Sequence, residues 1–268
     1  MDRHALEYYK PFSDESPHGH FHQVIALHEQ ENSKWEKISK LAPSLCKGWY
    51  ELARLDVQDR IDFTREFWLT KMPYHPQLNE LLTKFFASLD DIGVFLVQSR
   101  KGEPFEPQIV YSLSKHSGFF QGKASVIDSE IIALQKVFPD YILPIDYLAF
   151  LQIHNGFAKL TDTGIMQTNE VKDTYFNFQA MLDAEEPLIT SKGREINPKS
   201  LIPFYKSFGM PFFQCFWGEW YPEGEMGNVY YSGLTKTISD CTKADFRVET
   251  MAFETFTDWL MFYLEAID

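Results

Sequence analysis

The feature that most constrains the fold of this chain is a change of hydrophobic period near residue 90. Before it, apolar residues recur every three or four positions, which is typical of amphipathic helices. The clearest of these faces comprises Leu78, Leu81, Leu82, Phe85, Phe86 and Leu89. After it, residues 92–98 and 108–114 are rich in β-forming side chains, and the segment between them holds a glycine and two prolines. This pattern predicts a β-hairpin with a long loop.

The second half predicts two helices, several short strands and a closing helix. Asp128 can cap the first helix, Pro144 suits the first turn of the second, and Asn155-Gly156 favours its end. An amphipathic helix closes the chain at about residues 255–264. This order predicts an α+β fold, in which helices pack on a mostly antiparallel sheet. The strand candidates are Tyr175–Phe178, Leu201–Tyr205, Phe212–Trp217 and Asn228–Ser232.

Three parts are predicted along the chain. Residues 1–33 are polar and turn-rich, and we expect a loosely packed N-terminal arm. Residues 34–122 form a mainly helical region that ends in the β-hairpin. The glycine- and serine-containing segment 115–125 separates it from an α+β domain over residues 123–268.

Composition excludes some classes of function. The chain has 38 acidic and 25 basic side chains, a formal net charge of −13, which argues against direct nucleic-acid binding because such proteins need a basic surface. The start lacks the apolar core of a secretory signal, and the longest nearly apolar stretch, 141–153, is shorter than the roughly 20 residues of a membrane helix. Three widely spaced cysteines predict a reduced, cytoplasmic protein without membrane contact.

Residues 143–151 read Leu-Pro-Ile-Asp-Tyr-Leu-Ala-Phe-Leu and are followed by His-Asn-Gly at 154–156. This stretch resembles the signature of the SUKH superfamily, a helix followed by LPxDYxxFL and a short gap to NG. The superfamily's best-known members are the yeast cell-wall synthesis regulators. The strands near 201–204, 212–217 and 227–230 and the helix around Phe256 and Trp259 match in order, so the resemblance covers about residues 127–265. At 206–211 the chain lacks the usual Gly/Asp-rich turn, and a partner groove there can differ.

The resemblance implies a non-enzymatic, protein-binding SUKH-like domain. Bacterial members commonly neutralise a cognate toxin, often a nuclease or a deaminase, so an immunity-type protein is the first expectation. A regulatory adaptor or scaffold of the cell-wall regulator type is the alternative. In either case the expected partner is another protein, and for an immunity-type protein the expected partner is a basic toxin. The residues themselves show that an acidic surface with exposed rings suits a basic partner.

Two carboxylate groups are candidate partner-binding residues. The first surrounds Trp220 and Tyr221 in a glycine-rich loop, and aromatic rings on turns often anchor partners. The alternative is that both rings fold back onto the sheet. The second group lies in a polar segment and is as consistent with a solvated loop. The full candidate set is Glu219, Trp220, Tyr221, Glu223 and Glu225, with Asp183, Glu185 and Glu186.

The competing class is a hydrolase with a cleft between the two halves. Cys215 and His154 could form a nucleophile–base pair, oriented by Asp240 or Asp146. However, Cys215 lies in an apolar strand candidate, where cysteine usually packs as a small hydrophobe. His154 lies near a helix end, where a partial positive charge is structurally favourable. We therefore predict no catalytic residue and no enzyme.

His18, His20 and His22 alternate along the arm, so in an extended chain they share one face and could bind Zn²⁺. The surrounding sequence offers no framework to orient them, and solvated loop histidines are the preferred interpretation. The sequence therefore predicts no metal site and no cofactor.

Overall fold

A computed structural model describes residues 1–13, 19–30, 33–114, 118–183, 187–190, 193–240 and 251–265. Within these ranges the chain forms nine α-helices and eleven β-strands, and every strand pairing is antiparallel. The predicted α+β class is confirmed.

Helices and strands are interspersed along the chain. The helices are α1 (Arg3–Tyr8), α2 (Trp35–Leu41), α3 (Lys47–Leu52), α4 (Val57–Lys71), α5 (Leu78–Ala87), α6 (Asp128–Val137), α7 (Ile145–Leu151), α8 (Thr168–Asp183) and α9 (Phe256–Glu265). The strands are β1 (Gln23–Ala26), β2 (Leu89–Gln98), β3 (Glu106–Leu113), β4 (Phe119–Lys123), β5 (Phe157–Lys159), β6 (Gly164–Ile165), β7 (Leu201–Lys206), β8 (Phe212–Trp217), β9 (Asn228–Ser232), β10 (Thr237–Ser239) and β11 (Ala252–Phe253).

All of these strands belong to one sheet, whose order follows the chain from β1 to β10, with β11 added to β9. The predicted hairpin is confirmed as β2 and β3, in which Val94 pairs with Ile109. The pairing of β4 with β5 places Gln121 opposite Ala158. Hydrogen bonds therefore continue across the predicted boundary at 122/123, and the division into separate folding units stays a prediction.

The main core lies between one face of the sheet and helices α4, α5 and α9. Trp68 of α4 is fully buried, and its ring contacts those of Tyr111, Phe150 and Phe157 edge-on, with centroids 5.5–5.7 Å apart. The predicted apolar face of α5 is buried here as expected. Edge-to-face packing of this kind adds about 0.5–1.5 kcal/mol per pair to the stabilisation from burial.

The described part of the N-terminal arm is packed, which differs from the expected loose segment. Ala5 and Tyr9, one helical turn apart, are buried on the opposite face of the sheet with Phe21. The Tyr9 ring stacks on that of Phe95 at 4.3 Å. Residues spaced i, i+4 lie on the same face of a helix, so this face of the N-terminal helix packs on the sheet, and β1 extends the sheet beside β2.

The strand predicted at Tyr175–Phe178 is wrong, because these residues lie inside α8. Val171, Phe178 and Leu182 are buried and Tyr175 is half-buried, a spacing of four, three and four residues. This is the helical period. The aromatic residues of the short segment favour a strand only when the flanking apolar positions are not counted.

Candidate functional site

The loop of residues 218–227, between β8 and β9, holds the first group of candidate binding residues. Trp220 folds back towards the sheet, where its ring lies 6.2 Å from that of Trp217. It also covers Gly227, at which a Cβ atom would come within 2.3 Å of the indole. Tyr221 instead leaves 48% of its surface exposed. The two rings therefore separate, one supporting the loop and the other facing solvent.

The segment before α7 lies directly against this loop. The Glu225 carboxylate accepts a hydrogen bond of 2.8 Å from the backbone N–H of Ile145. The Tyr141 ring occupies the space beside Gly218, where a Cβ atom would come within 2.2 Å. Ile142 and Ile145 are 82% and 62% exposed. We call this surface the acidic loop face; it consists of Tyr141, Ile142, Ile145, Glu219, Tyr221, Glu223 and Glu225.

Carboxylates set the electrostatic character of the acidic loop face. Burial raises the pKa of Tyr141, and the charges of Glu219 and Asp140 raise it further. Glu219 is paired at 3.7 Å with Arg194, whose guanidinium also lies 4.7 Å over the Trp217 ring. Because this pair is largely exposed, it screens Glu219 only in part. Exposed apolar side chains beside carboxylates are a chemistry suited to binding a basic protein surface.

The second acidic group is described only through the backbone of Asp183, which ends α8, because Glu185 and Glu186 lie outside the described residues. The preceding Leu182 borders a pocket with the turn between β9 and β10, whereas the loop of residues 218–227 lies at the other end of β9. The length of β9 therefore separates the end of α8 from this loop, and a binding role for Asp183, Glu185 and Glu186 stays a prediction.

The motif residue Asp146 is buried between two helix starts. One of its carboxylate oxygens accepts hydrogen bonds from the backbone N–H and the hydroxyl of Thr257, at 2.8 and 2.9 Å, and so joins α7 to α9. Burial raises the pKa of this carboxyl, and the hydrogen bonds from Thr257 oppose the shift. Its contacts account for Asp146 as a structural residue.

His154 occupies a closed hydrogen-bond chain. Its Nδ1 lies 3.1 Å from the Lys123 carbonyl oxygen, which only accepts, so Nδ1 carries the proton. Nε2 therefore accepts from the Tyr111 hydroxyl at 2.6 Å, and the Tyr111 oxygen accepts from Trp68 Nε1 at 3.0 Å. Burial lowers the pKa of His154 to about 4. The imidazole is neutral at pH 7 and has both nitrogens engaged.

Cys215 lies on the face of the sheet opposite to His154, Tyr111 and Trp68. It is fully buried in a second cluster with Trp217 and Val229, and burial raises the pKa of its thiol. Asp240 follows the end of β10. Cys215, His154 and Asp146 thus have separate surroundings, and the structure does not assemble them as a nucleophile, a base and an orienting acid.

The histidine arm is only partly described, because His18 lies outside the described residues. The His20 ring packs on Tyr8 at 4.6 Å, and the backbone N–H of His22 donates to the Gln98 carbonyl. In the described part of the chain, no three or more His, Cys, Asp or Glu residues are grouped so that they could hold a metal ion. The expectation about metal binding stays a prediction.

The sequence reasoning missed Tyr141, Ile142 and Ile145 as surface residues. Their apolar character does not mark them as exposed, and the burial of Leu143 and Pro144 between them is known only from the structure. Only the bond between Glu225 and Ile145, 80 positions apart, shows that these residues adjoin the loop.

A search of the chain against models of known protein families finds no match. A search of curated proteins also finds no significantly similar relative. None of the helices in the described ranges combines the length and the apolar character needed to cross a bilayer.

Proposed function

We propose that this protein is a non-enzymatic binder that holds a basic protein partner through the acidic loop face. The observation that carries the proposal is the exposure of Ile142, Ile145 and Tyr221 around carboxylates in one surface. Clusters of solvent-exposed apolar side chains that are surrounded by charged residues mark interaction sites in soluble proteins. Burying them against a partner supplies affinity, and the carboxylates speed encounter with a positive surface.

The resemblance to the SUKH superfamily suggests the class of partner. A nuclease or deaminase toxin acts on nucleic acid and therefore carries a basic cleft. The net charge of −13 supports attraction to such a cleft and argues against direct binding of nucleic acid. We accordingly propose an immunity-type role. The cytoplasm is the proposed compartment, supported by the free thiols of Cys46 and Cys215.

The hydrogen bonds of the buried polar side chains support the proposal that this protein is not an enzyme. His154 and Tyr111 are hydrogen-bonded to each other, and they are also hydrogen-bonded to a backbone carbonyl and to Trp68, respectively. A general base needs a free nitrogen within reach of a substrate proton. In this arrangement His154 has none.

The test uses a variant of the face and a matched control. Tyr221→Ala combined with Ile142→Ser removes two of the three exposed apolar anchors, and Leu234→Ser removes an exposed side chain elsewhere on the surface (65% exposed). Immobilised wild type and variants are incubated with cytosolic extract of the source cells, and bound proteins are quantified. The expected partner is basic, is lost with the double variant and is retained by the control.

Titration calorimetry with the purified partner then measures the effect. We expect the double variant to bind at least about tenfold more weakly, which corresponds to about 1.4 kcal/mol, and wild-type binding to weaken as salt increases. Trp220 is not a suitable target because its ring packs on Trp217. Inhibition of a captured nuclease or deaminase identifies immunity, whereas a partner without enzymatic activity identifies an adaptor. If the double variant bound the partner as tightly as wild type does, the acidic loop face would not be the binding site.

A further inference from the structure

An apolar cavity of about 180 Å³ opens where α3 and α4 meet the sheet. Trp49 and Phe67 line its sides, and Trp68, Tyr111 and His154 form its floor. Cys46, Gly48, Ser125 and Gln152 surround the opening. The cavity is separate from the acidic loop face, since the two share no residue.

The size of the cavity limits what it can hold. A cavity of about 150 Å³ with an apolar lining stays dry and binds benzene. The volume here is slightly larger, so it admits one aromatic ring with a small substituent and excludes a fused ring system or a long acyl chain. The Trp68 and Phe67 side chains offer aromatic surfaces to such a ring.

The lining also limits the charge of a ligand. None of the side chains that line the cavity is charged at neutral pH, because burial keeps His154 in its neutral form. Both nitrogens of this imidazole and the Tyr111 hydroxyl are already hydrogen-bonded. A charged ligand would lose its hydration without a counter-charge. The Ser125 hydroxyl, the Gln152 amide and the Cys46 thiol place hydrogen-bonding groups at the opening, whereas the Thr64 hydroxyl in the lining already donates to the Arg60 carbonyl oxygen.

We propose that this cavity binds a neutral, single-ring aromatic molecule whose ring rests on Trp68 and Tyr111 and whose small polar substituent faces Ser125 and Gln152 at the opening. The motif segment contributes Gln152, Ile153 and His154 to the cavity, and the helices before residue 90 contribute its sides. The ligand would therefore contact both halves of the chain.

The test is a titration of the full-length, ¹⁵N-labelled protein with benzyl alcohol, followed through the indole N–H resonances. We expect saturable shifts for Trp49 and Trp68, which line the cavity, and none for Trp217 and Trp220 on the other side of the sheet. Benzoate, which has the same ring but a charge, should bind at least tenfold more weakly. Dodecanol tests whether the cavity accepts a long alkyl chain, and it should produce no saturable shift of the same resonances.

Two filling variants and one control complete the design. Gly48→Leu adds a side chain at the opening, where a new Cβ has open space around it: the nearest side-chain atom beyond the adjacent residues is Cys46 Sγ at 4.0 Å. Ile153→Phe enlarges a lining residue from a different element. Lys47→Leu places the same side chain at the neighbouring, exposed position of α3, outside the cavity lining.

The expected result is that at least one filling variant weakens benzyl alcohol binding tenfold or more, whereas Lys47→Leu leaves it unchanged. Each of the other outcomes overturns the assignment: no saturable shift at Trp49 and Trp68, equal affinity for benzoate, saturation by dodecanol, or full affinity in both filling variants.

Discussion

Protonation of His154 should destabilise the fold at mildly acidic pH. The ring is fully buried, and its pKa falls from 6.5 in the unfolded chain to about 4 in the folded protein. Between these values the unfolded state binds the proton and the folded state does not, so stability rises as pH increases from 4 to 6.5 and is lost as pH falls through the same window. The 2.5-unit difference (6.5 − 4) corresponds to about 3 kcal/mol.

This magnitude is large compared with the roughly 5–15 kcal/mol by which domains are stable. The measurement is urea unfolding of wild type and His154→Gln at several pH values from about 4 to 7.5, followed by far-ultraviolet circular dichroism. Other titrating groups affect both proteins equally, so the difference between them isolates the histidine. We expect the advantage of wild type to shrink by about 3 kcal/mol between pH 7 and pH 4.

Tyr111→Phe tests the hydrogen-bond chain itself. The change removes the donor to Nε2 and leaves a buried acceptor unpaired, which costs about 1–3 kcal/mol at neutral pH. Because it penalises the neutral imidazole, it should also raise the pKa of His154 and weaken the dependence of stability on pH. A difference between wild type and His154→Gln that stays constant from pH 7 to pH 4 would refute the reasoning.

Two further predictions concern stability and use the same unfolding assay at neutral pH. Gly122→Ala should destabilise the protein by about 1–3 kcal/mol, because the new Cβ would come within 2.3 Å of the His154 ring; an unchanged midpoint would show that the ring is free to move. Arg60→Met should cost about 3–5 kcal/mol by leaving Asp91, its buried partner at 2.6 Å, without a counter-charge. The double variant Arg60→Met with Asp91→Leu should recover most of that loss, and a double variant as unstable as the single one would contradict the explanation.

The proposed binding surface could be predicted only in part. The loop of residues 218–227 was identified from its acids and rings, and Tyr221 is exposed there. The sequence left open whether both rings would face a partner or both would fold back onto the sheet, and the structure separates them because folding back depends on whether a neighbour leaves room. Gly227 provides that room for Trp220. The apolar part of the acidic loop face comes from residues about 80 positions earlier, and no local pattern records that distance.

What the sequence determined by itself is the local structure. The period of apolar residues predicted α5 and the β2–β3 hairpin. Such signals depend on residues a few positions apart. The helix end predicted at Asn155-Gly156 is wrong, because α7 ends at Leu151 with Gln152 as its C-cap, and Gly156, whose φ is +102°, directly precedes β5. The length of α8, the docking of α1 and the pairing of His154 with Tyr111, 43 positions away, were decided by the tertiary structure. These features depend on contacts between elements that are far apart in the sequence. The order of strands in the sheet brings those elements together, and no local pattern encodes it.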